Sequence, residues 1–90
     1  MRKIELGIYR HYKGKEYDVY GEAILSGTED GEQIWFVIYR PRYGDRRLTS
    51  RLKTEFTESA LVGGTSVQRF VFVREFESPE LKVIAEFFSS

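Results

Sequence analysis

The stretch that most restricts the fold is Ile34-Trp35-Phe36-Val37-Ile38-Tyr39. Six consecutive β-branched or aromatic side chains suit a pleated, packed strand. A strand that is apolar on both faces needs a central position or a covering element. In a chain of 90 residues this implies one small domain built around that strand. So short a chain buries a modest fraction of its surface and needs bulky core residues. Seven Phe, six Tyr and one Trp supply them, and a buried Tyr or Trp still has a polar tip to satisfy.

The flanking segments also read as β. Ile4, Leu6 and Ile8 alternate with Glu5, Gly7 and Tyr9, and Lys13-Gly14-Lys15 follows as a turn. Alternation resumes with Tyr17, Val19, Gly21, Ala23 and Leu25 on one face and Asp18, Tyr20, Glu22 and Ile24 on the other. The first two strands are therefore expected to form a hairpin. Ser26 to Glu32 reads as a polar loop, and Pro41 ends the apolar strand. Leu48–Leu52 is a short strand, and Lys53–Ser59 is a single helical turn anchored by Phe56. Gly63-Gly64 marks a hairpin turn, and Val67–Val73 is expected as one further strand. Ser78 as N-cap and Pro79 at the first helical position introduce Leu81, Ile84, Ala85 and Phe88 at helical spacing. The expected fold is mostly β: a small bent sheet or SH3-like barrel with a short C-terminal α-helix. An OB-type barrel is second, because it needs longer strands. The β domain covers residues 1–76, and the helix at 77–90 packs on it.

There is no cysteine, so thiolate catalysis, disulfides and sulfur-ligated zinc are excluded. That absence favours a reducing compartment, and the N-terminus lacks a signal-like apolar stretch. The expected location is therefore the cytoplasm. No apolar run reaches the ~20 residues of a membrane span.

Net charge is zero, but it is unevenly spread. Residues 40–53 carry Arg40, Arg42, Arg46, Arg47, Arg51 and Lys53 against Asp45, a local balance of +5. Arginine presents a planar fork that fits phosphate and carboxylate, and tyrosine stacks on bases and guanidinium planes. Joined to Arg10, His11, Tyr12, Lys13 and Lys15, this block would form a basic aromatic surface.

The simpler account of each feature is structural. His11 is the sole histidine and has no sequence-level metal partner. Asp45 follows Gly44 and fits turn chemistry, although a pocket joining it to Arg10, His11 and Tyr12 would make it a base. Glu29, Asp30 and Glu32 lack the calcium-loop pattern. Gly63-Gly64 precedes a strand and lacks the Lys-Ser/Thr of a phosphate loop. The arginines can equally pair with acidic residues in a solvated loop, and the overall neutrality disfavours a strong nucleic-acid footprint.

Gly7-Ile8-Tyr9-Arg10-His11-Tyr12-Lys13-Gly14-Lys15 resembles the opening signature of the small bacterial family known as domain of unknown function 1653. Val37-Ile38-Tyr39-Arg40, Tyr43-Gly44-Asp45, Phe56, Gly63-Gly64 and Arg69-Phe70 follow in that family's order. The resemblance spans residues 7–73. Two places depart from it. Leu25-Ser26-Gly27-Thr28 stands where the family has His-Ser-Glu-Thr. Thr49-Ser50-Arg51-Leu52 stands where it has Trp-Val-Arg-Pro, keeping only the arginine. The resemblance implies a shared fold and no particular activity.

These features point to a small binding module without a catalytic residue, metal or cofactor. Its partner is expected to be an anionic or nucleic-acid ligand held by Arg10, His11, Tyr12, Lys13, Arg40, Arg42, Tyr43, Asp45 and Arg51. The alternative is a protein-protein adaptor or homo-oligomer docking through the C-terminal helix. Neither reading involves a membrane.

Overall fold

The computed structural model describes residues 3–26 and 33–77, with 79, 82 and 83. In chain order the elements are β1 (Gly7–His11), β2 (Glu16–Ile24), β3 (Trp35–Pro41), β4 (Thr49–Leu52), α1 (Lys53–Thr57), β5 (Ser59–Val62), β6 (Thr65–Gln68) and β7 (Phe70–Arg74). Five strands form one antiparallel sheet in the order β4-β3-β2-β1-β7, and β5 and β6 form a separate hairpin. The apolar strand is thus internal, as its composition requires. Of the two expected forms the bent sheet is the one present. It is open, ending at β4 and β7, and does not close into a barrel.

Each face of the sheet carries its own core. On one face Tyr9, Val19, Val37, Tyr39 and Phe70 pack with Phe56 from α1, and Ile4, Tyr17 and Phe72 join them. On the other, Ile8, Tyr20 and Phe76 pack with Leu6. Phe56 and Phe70 stack at 4.2 Å with their planes 6° apart. Burying one such side chain contributes about 2–3 kcal/mol. The single turn of α1 is too short to be stable alone. It is held by Phe56, which caps the sheet beside β3 and β4.

Two strand expectations are corrected. Val67–Val73 is not continuous: it breaks at Arg69, and its halves belong to different sheets. The Arg69 N–H donates to Glu58 O, tying the break to the end of α1. The strict alternation of β2 also fails, because the register against β3 shifts between Val19 and Gly21. Tyr20 is the extra residue, and a bulge of one residue exchanges the faces beyond it. Glu22 thereby lies opposite Val37, on the core face, where its carboxylate pairs with Lys53 and accepts the Ile4 N–H. Most of the expected C-terminal helix, including its periodic positions Leu81, Ile84, Ala85 and Phe88, lies outside the described residues. No helix among the described residues is long and apolar enough to cross a membrane.

Candidate functional site

The strand registers sort the expected site residues. Tyr9 faces Tyr17 and Arg10 faces Glu16 across β1 and β2, and Asp18 faces Arg40 across β2 and β3. Side chains alternate along a strand. Arg10, Asp18 and Arg40 therefore lie on one face, and His11, Tyr17 and Tyr39 on the other. Arg51 lies opposite Val37, which puts it on the His11 face. The basic surface expected from the sequence is thus divided between two faces of the sheet.

On the Arg10 face most of the charge is neutralised. Arg10 pairs with Glu16 at 3.1 Å, and Arg74 approaches the same carboxylate. Asp18 is 1% exposed and accepts from Arg42 at 2.8 Å. The Arg40 guanidinium lies 5.9 Å from the Tyr20 ring. In the β3–β4 loop, Asp45 is exposed and pairs with Arg47 at 3.4 Å. The ring neighbours of His11 are Tyr12, Tyr17 and Phe70. Asp45 and His11 therefore form no ion pair among the described residues.

The opposite face holds a different group. Phe70 meets His11 edge-on at 4.9 Å and Tyr17 at 5.5 Å. Tyr17 also meets Tyr39 at 5.5 Å, and its hydroxyl shares a 2.8 Å hydrogen bond with that of Tyr43. Arg51 lies 5.9 Å from the Phe70 ring and donates from Nε to the Tyr39 hydroxyl at 3.4 Å. Arg51 forms no ion pair among the described residues. By contrast Arg10, Arg42, Arg47, Arg69 and Arg74 each have a carboxylate partner. Glu55 adds only a weaker attraction.

The hairpin turn fixes His11. Its N–H donates to Lys15 O, and its carbonyl accepts from the Gly14 N–H. Its Nδ1 accepts the Lys13 N–H at 3.1 Å. A ring that accepts at Nδ1 carries its proton on Nε2 when neutral. Burial, and then the nearby Lys13, Arg69 and Arg51, hold the imidazole below its ordinary pKa. Burial also raises the Tyr17 phenol, reinforced by the hydrogen bond to Tyr43. Near neutral pH the group therefore offers an imidazole N–H, a guanidinium and protonated phenols. These are hydrogen-bond donors around a positive field, an arrangement suited to holding an anion.

Sequence reasoning missed Tyr17, Arg69 and Phe70. The signal for Tyr17 was present: a hairpin turning at Lys13-Gly14 sets Tyr17 opposite Tyr9 and beside His11. Phe70 and Arg69 needed the break before β7, which the apolar run conceals.

A concavity of about 450 Å³ opens on the core face beside Ile4, Tyr9, Lys53 and Phe72. The described residues contain no group of three or more His, Asp or Glu side chains placed to hold a metal ion.

Comparison with known proteins places the fold in a family. No curated protein matches the chain. The crystal structure of a DUF1653 protein from Bordetella bronchiseptica is similar, with 27% identity and a TM-score of 0.66 over 83% of this chain and 94% of that one. The family model described as "Protein of unknown function (DUF1653)" matches residues 7–72, which contain every described strand except the last two residues of β7. The chain belongs to the DUF1653 family.

Proposed function

We propose that this protein is a small binding module that recognises a phosphate-bearing ligand through the His11, Tyr17, Tyr39, Tyr43 and Arg51 face. The observation that carries the reading is Arg51, a partly buried guanidinium in an aromatic wall without a carboxylate partner among the described residues. A cation left unpaired beside further donors favours an incoming anion. The mechanism is charge-assisted hydrogen bonding from Arg51 and the His11 Nε2–H, with the Tyr39 and Tyr43 hydroxyls as further donors. Of the residues expected from sequence, His11, Tyr43 and Arg51 belong to this face, with Tyr12 and Lys13 at its margin. Arg10, Arg42 and Asp45 are paired elsewhere.

NMR titration with inorganic pyrophosphate tests the reading. Binding should perturb the His11 ring and the Arg51 Nε–H, and should raise the His11 pKa, since a nearby anion favours imidazolium. Arg51→Gln should abolish the response while Arg10→Gln leaves it intact. An unchanged His11 titration curve at saturating pyrophosphate would refute the proposal.

A further inference from the structure

The binding face has exposed rings at both ends. Tyr12 leans on His11 at 4.5 Å, His11 meets Tyr17 at 6.4 Å, and Tyr17 meets Tyr43 at 5.7 Å. The four rings form a row. Its terminal members, Tyr12 and Tyr43, are the exposed ones, at 38% and 42%. Each carries a lysine: Lys13 lies 5.9 Å from the Tyr12 ring and Lys15 lies 4.5 Å from the Tyr43 ring. Neither lysine forms an ion pair among the described residues. Arg51 acts on both His11 and Tyr17, the inner members of the row. The layout is ring, cation, ring, with a lysine ammonium at each end.

A free phosphate or a polyphosphate has no use for the terminal rings. A folded protein partner would be expected to cover a broader apolar surface around them. A duplex keeps its bases stacked on one another, so it offers base edges and backbone but no flat face for the rings. An unpaired strand supplies both parts, flat bases for the rings and phosphates for the cations between them. We infer that the face holds two or three nucleotides of single-stranded nucleic acid, with bases on Tyr12 and Tyr43 and a backbone phosphate at Arg51. This rests on the phosphate-binding reading and narrows its ligand to one class.

The charge of the face sets the salt response. Lys13, Lys15 and Arg51 would neutralise about three phosphates. The logarithm of affinity should then fall with that of salt at a slope of about −2, weakening binding roughly 20-fold between about 50 and 200 mM.

The experiment is fluorescence anisotropy of the full chain with labelled oligouridylate and oligodeoxythymidylate of about ten nucleotides. A duplex of the same length and sodium polyphosphate serve as competitors. Single strands of either sugar should bind, and the duplex should compete poorly. Tyr12→Ala and Tyr43→Ala should each weaken binding about tenfold or more, whereas Tyr12→Phe, which keeps the ring, should retain it. Upfield NMR shifts of the Tyr12 and Tyr43 ring protons report stacking in the unaltered protein. If polyphosphate perturbs His11 and Arg51 but the strands bind no better than the duplex, or the alanine variants bind as tightly as the parent, the nucleic-acid inference is overturned and the phosphate reading stands. If neither probe perturbs the face, both fail.

Discussion

Gly7→Ala should unfold much of this domain's stability margin, and the structure shows why. Gly7 opens β1 with φ +152°, a region L side chains rarely adopt. A Cβ built there falls 2.4 Å from Arg74 O, 2.9 Å from Phe72 Cε1 and 3.2 Å from Glu75 Cα. Two of these three neighbours are backbone atoms and cannot rotate away. The β1–β7 register already shifts between Ile8 and Tyr9, so the strands touch here at an irregular point. Relief requires moving β7 outward, which pulls Phe72 from the Tyr9 ring it meets edge-on at 5.5 Å. Overpacking typically costs about 1–3 kcal/mol, and an unfavourable backbone region adds about 1–2 kcal/mol. The expected loss is about 2–5 kcal/mol, read as a lower urea midpoint by circular dichroism and Trp35 fluorescence. For a domain of this size that lowers Tm by roughly 10–30 °C.

Gly14→Ala separates the two contributions. Gly14 has φ +103°, but a Cβ there meets nothing within 4 Å. It should lose only the backbone part, about 1–2 kcal/mol. If Gly7→Ala cost no more than Gly14→Ala, the close approach of β1 and β7 would be wrong.

Three further outcomes follow from named contacts. Arg42→Ala leaves the buried Asp18 carboxylate without its 2.8 Å partner and should cost about 2–4 kcal/mol in urea unfolding, with Arg42→Ala/Asp18→Asn recovering part of the loss. Burial raises the Tyr9 phenol to about 12; with the unfolded group near 10, the folded state holds the extra proton between those values. Stability should therefore be intact below about pH 10 and fall as pH rises toward 12, by about 2–3 kcal/mol from Tyr9, and Tyr9→Phe should flatten that decline. His11 is shifted the other way, so its contribution is present above about pH 6.5 and lost on acidification through its lowered folded pKa; a His11 ring that titrates at or above 6.5 by NMR would contradict the positive surroundings described for it.

Most of the fold was legible because local pattern and tertiary demand agree. The apolar run at 34–39 needed a central place or a covering element, Lys13-Gly14-Lys15 read as a turn, and Phe56 needed a wall to stack on. The failures come where one residue changes the meaning of all that follow. Alternation alone places Glu22 with Asp18, away from the Tyr17 face. One extra residue at Tyr20 carries it to the core face, beside Lys53. Val67–Val73 reads as one strand because apolar alternation does not register a change of sheet at Arg69.

The same physics explains why the arginine block does not form one surface. Charge density along a chain is a one-dimensional quantity, whereas availability for a ligand depends on which carboxylates share a face. Arg40 and Arg51 are close in sequence. Alternation and the turn between β3 and β4 send one toward Tyr20 and the other toward Phe70. Arg42 reaches back to Asp18 and pairs with its buried carboxylate. Among the described residues Arg40, Arg46 and Arg51 of the block have no carboxylate partner, and of these it is Arg51 that meets residues distant in sequence on the His11 face: the Tyr39 hydroxyl and Phe70 from the last strand, which also meets His11 from the first hairpin. A site of that kind is set by registers. The sequence clue that bore on it was the hairpin turn fixing β1 against β2, more than the run of positive charge.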